Sequence, residues 1–411
     1  VAGKKADVVI ANPSGIQCDG CGVINAGRTT LTTGKAEVEN GELKGYRVQG
    51  GKVSVGQKGM DTSKADYTDI IADKAEIKGG VWGNKVKITT GKNKVDRTND
   101  SVVYVGDKNT NETDRTSESQ NDQAQAYSVD VGQLGGMYAE KIHLVDNGQG
   151  LGVRNAGHIG ASAGEVKIDS QGKIVNEGFI GGSENAELNA KKNIENRGTV
   201  YAKAQAQLNA QNIDNKQGVI AGKQVQLNAN NVDNRKQSDK GSLIVASDKV
   251  SVKAKNVDNQ GTKANSKTEQ GIRGAQVAII ADNLSNQQGG IYTDEHANIN
   301  ITKTIDNKDG EIEASKSIEL TAKTLANDGS VKTKGDLTVH LQDGLVLNNA
   351  FQAGGSLDFK TQGNLTNNSQ LRVGNKLSVQ AANIENTKEA EISGNETFIT
   401  TNNLTNRGLI D

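Results

Sequence analysis

The second half of the chain repeats one pattern of apolar and polar positions: an aliphatic residue, one residue of any kind, then an asparagine. The pair occurs as Ile174/Asn176, Ile194/Asn196, Ile213/Asn215, Val232/Asn234, Val257/Asn259, Leu284/Asn286, Ile305/Asn307, Leu325/Asn327, Leu347/Asn349, Leu365/Asn367, Ile384/Asn386 and Leu404/Asn406. Successive aliphatic residues lie 20, 19, 19, 25, 27, 21, 20, 22, 18, 19 and 20 positions apart, and Val153/Asn155 extends the series one step upstream. Self-similarity at such a period marks a solenoid, in which each repeat is covered only by its neighbours.

Inside one unit, Val225-Gln226-Leu227-Asn228-Ala229-Asn230-Asn231-Val232-Asp233-Asn234, apolar residues fall on alternate positions, stop at a polar pair and resume. This predicts a strand, a corner and another strand. Gly178, Gly198 and Gly218 follow the asparagine by two or three residues, where a corner needs a residue without Cβ. No unit holds a helix-length run of 3.6 periodicity, and the Leu-x-x-Leu-x-Leu run of a leucine-rich repeat is missing. The expected fold is all-β: a right-handed parallel β-helix with rungs of about 20 residues. The recurring asparagines are expected to form a ladder, each amide donating to the next rung and accepting from the one before. Exposed turn formers are the alternative reading of these positions.

Composition narrows the picture. The chain has 411 residues but only 3% are aromatic, and its mean hydropathy is −0.61, too polar for a compact core of that size. A thin cylinder filled by Val, Ile, Leu and Ala needs less apolar bulk, and the strict period argues against disorder. With 48 basic and 49 acidic residues, no nucleic-acid or anionic-membrane surface is expected. No apolar run approaches the length of a membrane span.

Near the start, Asn12-Pro13-Ser14-Gly15 reads as a turn after the strand Val8-Val9-Ile10, its entry set by Pro13, the single proline. The run from Ala11 to Asn25, with Gly15-Ile16-Gln17-Cys18-Asp19-Gly20-Cys21 inside it, is followed by Thr29-Thr30-Leu31-Thr32-Thr33-Gly34. It resembles the Asn-Pro-Asn-Gly-Ile motif and its sequel in the secretion domain of the filamentous haemagglutinin family, the large Gram-negative exoproteins exported by two-partner secretion. Position 14 departs from the motif, with Ser in place of Asn. Ala65-Asp66-Tyr67-Thr68-Asp69-Ile70-Ile71-Ala72, Val81-Trp82-Gly83 with Thr89-Thr90-Gly91, Leu134-Gly135-Gly136-Met137-Tyr138-Ala139, and Gly152-Val153-Arg154-Asn155-Ala156-Gly157 with Ile159-Gly160-Ala161 are similar to later parts of that domain and its passage into repeats.

The resemblance implies that residues 1–150 are the C-terminal part of a two-partner-secretion domain, its signal peptide and first half lying outside this chain, and that residues 151–411 are haemagglutinin-type β-helical repeats. It implies a secretion motif at Asn12, Pro13, Ser14, Gly15 and Ile16, and export through an outer-membrane β-barrel transporter, whose engagement needs the N-terminal part of the domain that lies outside this chain. The expected location is outside the cell, on the surface of a Gram-negative bacterium. The expected role is adhesin or stalk, meeting a receptor on a host cell or a neighbouring bacterium. The alternative is the filament of a contact-dependent growth inhibition toxin whose toxin domain lies beyond this chain; the two-cysteine form Cys18-Asp19-Gly20-Cys21 is more similar to that branch.

Little catalytic chemistry is legible. His143, His158, His296 and His340 are more than one rung apart in most pairs, and the single Cys-x-x-Cys has no second half, so neither metal nor cofactor is expected. The cysteines sit in a strand-and-turn context rather than at a helix start, and the extracellular setting permits a structural disulfide, Cys18–Cys21. β-Helical polysaccharide-degrading enzymes, the remote alternative, line a groove walled by long loops. Most rungs here are 18 to 22 residues, too short for walls, and Asp214, Asp233 and Asp258 are expected to point outward, so the expectation is not an enzyme. Residues 107–125 are expected to form an exposed loop. The two long repeats should place lysine-bearing loops at residues 236–240 and 262–268, as surface variation or, alternatively, as ligand contacts.

Overall fold

The computed structural model describes residues 3–106, 126–265 and 269–411. The predicted loop at 107–125, and residues 266–268 of the second lysine-bearing loop, lie outside the described residues. All described regular elements are β-strands, and the chain divides into two compact units, Val1–Gln211 and Asn212–Asp411.

The first unit is a parallel β-helix whose rungs contribute to three stacks of strands. Its interior is built from columns of residues in register. One column runs Val53, Ala75, Val129, Val153, Ile174, Ile194. The second runs Val81, Met137, Ile159, Ile180, Val200. The third runs Ile70, Ile88, Leu144, Ile168, Leu188, Leu208. All of these are buried. Alternation along each strand sends every second side chain inward, and each buried Val, Ile or Leu contributes about 1.5–3 kcal/mol. At the corners, a Cβ on Gly178 or Gly198 would run into the carbonyl of Gly157 or Gly178 one rung away, so close approach of the main chain requires glycine there.

Against this helix lies a four-stranded antiparallel sheet that sequence reading did not anticipate: Lys35–Glu39, Glu42–Arg47, Asn93–Asp96 and Val102–Tyr104. Its hairpin turns at Asn40-Gly41, both at positive φ (51° and 78°), the pairing that a two-residue turn of this hand requires. Tyr46, Val48 and Val95 form a buried cluster with Ile71 of the helix. Beneath the sheet, the Arg28 guanidinium pairs with the buried Asp69 carboxylate and donates to the Thr98 carbonyl at 3.1 Å, while Asn99 Nδ2 donates to Asp69 Oδ1 at 3.2 Å. Burial pushes the Asp69 carboxyl above its ordinary range, and the Arg28 charge opposes that shift most strongly.

The second unit repeats the architecture. Ile213, Val232, Val257, Leu284, Ile305 and Leu325 stand in register, as do Ile220, Ile244, Ile272, Ile291, Ile312 and Val331. The predicted loop at 236–240 leaves the rung and is exposed. Asp214, Asp233 and Asp258 stack in register on the outer side, half-buried. Like charges at this spacing are tolerated because Lys216 bridges Asp214 and Asp233, and Arg235 bridges Asp233 and Asp258. Arg235 holds the Asp233 carboxyl below its ordinary value despite burial, whereas burial pushes that of Asp258 up.

One repeat is placed differently from its sequence assignment. Leu345, not Leu347, pairs with Leu365, and Leu347 pairs with Asn367. Leu347 therefore occupies the column position of the asparagine and is buried there, while Asn349 is exposed and donates to the Asp328 carbonyl at 2.6 Å. The spacings of 22 and 18 become two of 20, so the rung length is regular and it is the side chain at the corner that changes.

Candidate functional site

The features that sequence reading singled out are a turn, a cysteine pair and the asparagine ladder. The turn is closed by Asn12: Gly15 N–H donates to its carbonyl at 3.0 Å, and Ser14 N–H donates to its side-chain Oδ1 at 3.2 Å. Gly15 takes φ 123°, a conformation that an L side chain rarely adopts. Asn12, Pro13 and Ser14 are exposed and Ile16 is half-buried. Ile16-Gln17-Cys18 then pairs in parallel with Val53-Ser54-Val55. The turn thus stands on the surface while the strand after it is anchored in the stack.

Three residues on, Cys18 and Cys21 are joined by a disulfide across a turn, with their Cα atoms 5.5 Å apart. Cys18 is buried and Cys21 exposed. Asp19 between them accepts from the Lys58 N–H of the next rung at 2.8 Å, so the bridged turn is tied to its neighbour. Titration of the native, air-exposed protein with a thiol reagent is expected to find no free thiol; two reactive thiols would contradict the pairing.

The asparagine side chains lie at the corners and bond along the stack. In the first unit, Asn155 Nδ2 donates to Asn176 Oδ1, and Asn176 Nδ2 to Asn196 Oδ1, each at 2.9 Å. In the second, the series runs from Asn215 through Asn234, Asn259, Asn286 and Asn307 to Asn327, at 2.8–2.9 Å. After the rung of Leu347 it runs again from Asn367 through Asn386 to Asn406, at 3.0 and 2.8 Å. The second amide hydrogen of each donor reaches a main-chain carbonyl of the next rung, as from Asn259 to Gly290 at 3.0 Å. Where Leu347 interrupts the column, the buried Asn327 Nδ2 has no partner. Asn349 takes no part in the ladder, and Asn406 accepts within it but is exposed.

Sequence reading missed a second rail. Asn231 donates to Asn212, Asn256 to Asn231 and Asn283 to Asn256, at 2.6–2.9 Å; Asn383 and Asn403 extend another from Asn364. These asparagines stand three residues before those of the corner ladder, so the recurring signal is Asn-aliphatic-x-Asn. The histidines remain apart: His143 and His340 pair with Asp169 and Asp358 at 2.8 and 3.1 Å, His296 meets Ser317, and His158 lies between Tyr138 and Phe179. No helix among the described residues is long and apolar enough to cross a membrane.

Comparison with known proteins agrees with this architecture. The model of the TPS secretion domain matches residues 1–176, and the haemagglutinin repeat matches residues 184–236, 221–309, 283–369 and 348–408. "Toxin CdiA" of Yersinia pestis is 46% identical over 203 residues, which is 49% of this chain and 6% of that protein. "16S rRNA endonuclease CdiA" of Enterobacter cloacae is 26% identical over 449 residues, covering 100% of this chain and 13% of that protein. "tRNA nuclease CdiA" of Yersinia mollaretii is 39% identical over 175 residues, 42% of this chain and 5% of that protein. The chain therefore spans a small fraction of the length of these relatives. A crystal structure of a filamentous hemagglutinin secretion domain is similar at 26% identity and a TM-score of 0.37, over 54% of this chain and 64% of that one. With a secretion-domain match leading into haemagglutinin-repeat matches that cover more than half of its length, the chain belongs to the filamentous haemagglutinin family of two-partner-secretion exoproteins.

Proposed function

We propose that this chain is the export and stalk segment of an exoprotein at the outer surface of a Gram-negative bacterium, carried across the outer membrane by a β-barrel transporter and serving as adhesin or stalk. The observation that supports it most is the succession of a secretion-domain match and repeat matches on parallel rungs. A parallel rung hydrogen-bonds only to its neighbours, so it can form as the chain emerges, one rung templating the next. In this reading the turn Asn12, Pro13, Ser14, Gly15 and Ile16 is the secretion motif: an exposed turn on an anchored strand can be met by the transporter before the stack grows.

A second reading is favoured by the names of the relatives, toxins and nucleases called CdiA: the chain is then the filament of a contact-dependent growth inhibition protein. The nuclease and toxin activities belong to those proteins, and no catalytic role is assigned to this chain. The receptor, on a host cell or a neighbouring bacterium, is part of the proposal. The export reading is tested by joining the chain to the signal peptide and N-terminal secretion-domain half of a close relative in a Gram-negative host, with and without that relative's transporter. The protein is expected in the medium only when the transporter is present, and the double replacement Asn12→Ala and Gly15→Ala should hold it in the periplasm. Equal amounts in the medium without the transporter would refute the reading.

A further inference from the structure

On one face of the first unit, the outward positions of five successive rungs hold rings and glycines in exchange. Trp82, Tyr138, Gly160, Gly181 and Tyr201 share one register column; Gly80, Gly136, His158, Phe179 and Thr199 share the column two residues away. Each of four rings leans along its strand over the glycine of its own rung. A Cβ on Gly136 would stand 2.7 Å from the Tyr138 hydroxyl and one on Gly160 2.8 Å from His158 Nε2, while Trp82 covers Gly80 and Phe179 covers Gly181. Rings from two columns thereby meet in one stack, Trp82–Tyr138–His158–Phe179, with centroids 6.1, 5.2 and 4.6 Å apart and planes within 14–18°.

This exchange leaves a cleft. Gly160 and Gly181 stand between two exposed tyrosines of their own column, Tyr138 and Tyr201 (41% and 42% exposed), which are three rung spacings or roughly 14 Å apart. The cleft, about 620 Å³, has main chain at Gly160, Gly181 and Gly182 for its floor and the rings of His158 and Phe179 along one side. Glu140, Ser162 and Ser183, just past the strand ends, stand along the other. Among the described residues no lysine or arginine lines it.

We propose that this cleft binds a neutral oligosaccharide. Its volume is in the range of small-molecule sites, and exposed tyrosines offer an apolar ring with a polar tip, the combination enriched where proteins meet ligands. A pyranose has the complementary make-up. Its C–H faces, made partly positive by the neighbouring oxygens, are drawn to aromatic faces, and its equatorial hydroxyls can donate to the Glu140 carboxylate and exchange hydrogen bonds with the two serines. The same carboxylate, with no cation beside it in the lining, repels an anionic sugar. The site goes beyond the export and filament reading and does not depend on it, because the purified chain binds or fails to bind whatever its route out of the cell.

Trp82 is the only tryptophan in the chain and stacks on Tyr138, so its fluorescence reports on the cleft. Titration of the purified chain with cellobiose and N,N′-diacetylchitobiose is expected to give a saturable change with at least one of them, and a heparin-derived disaccharide is expected to give none at the same concentrations. Tyr201→Ala, at an exposed position, should weaken binding about tenfold. Ser162→Arg, also exposed, should fill the cleft and abolish it, with an unchanged circular dichroism spectrum. Failure of both neutral disaccharides, equal or tighter binding of the sulfated one, or unchanged affinity in both variants would each overturn the assignment.

Discussion

Replacing Asn259 with leucine is expected to lower the unfolding free energy of the second unit by about 3–4 kcal/mol, the sum of lost hydrogen bonds and buried partners left unpaired. Asn259 donates to Asn286 Oδ1 at 2.8 Å and to the Gly290 carbonyl at 3.0 Å, and it accepts from Asn234 at 2.9 Å. Leucine satisfies none of these groups, and no solvent reaches them. Asn327→Leu should cost only about 1–2 kcal/mol, since Asn327 accepts from Asn307 but its own Nδ2 is already unpartnered. The exposed Asn406 should be cheaper still. Because Asn259 and Asn286 share a bond, replacing both should cost less than the two single losses combined. Urea unfolding of these variants measures all four quantities. Equal small losses at 259, 327 and 406 with simple additivity would show that the amides act only as turn formers.

Arg28→Met should be comparably damaging, about 3–5 kcal/mol at neutral pH, because it leaves the buried Asp69 carboxylate without its cation. The loss should depend on pH in a definite direction. Burial already raises the Asp69 carboxyl above its ordinary value, and Arg28 is the main influence holding it down, so removing Arg28 raises it further. A carboxyl raised in the folded state costs nothing below the ordinary aspartate range, where both states are protonated. As pH rises through that range the unfolded chain ionises first and stability falls, until the folded carboxyl also ionises. The deficit of Arg28→Met should therefore be smallest in acid and grow toward neutrality. Hydrogen exchange should show the loss first in the strands Asn93–Asp96 and Val102–Tyr104, whose turn the pair ties to the helix through Thr98 and Asn99. A deficit independent of pH would place the cost in lost packing instead.

The parallel β-helix was legible because a solenoid writes its period into the chain, and the family because the run from Ala11 to Asn25 and the later segments resemble its secretion domain. Each rung must bury an aliphatic residue at the same place, so the spacing survives while neighbouring residues vary. The corner asparagine was legible for the same reason. Its outer companions, Asn212, Asn231, Asn256 and Asn283, are equally periodic, but they stand on the polar side of the corner, where asparagine is as common in plain turns as in a ladder. Register was not legible: at residues 345–349, Leu345 and Leu347 are both apolar and both precede Asn349, and the local pattern cannot say which of them faces the inner column and which the corner. Pairing with Leu365 and Asn367 decides it, since slipping by two residues would keep the strand's facing while moving every side chain along the rung. The antiparallel sheet over Ile71 joins Gly45–Arg47 to Lys94–Asp96, the pair Arg28–Asp69 joins residues 41 positions apart in the sequence, and no periodicity records contacts of that kind. Likewise the stack of Trp82, Tyr138, His158 and Phe179 draws on two different columns, because each ring leans over a glycine that its own strand supplies. The sequence by itself therefore determined the repeating cross-section, through the burial each rung must achieve. Only the tertiary structure decided which polar groups meet and where a cleft opens, because those depend on side chains from several rungs arriving at one place.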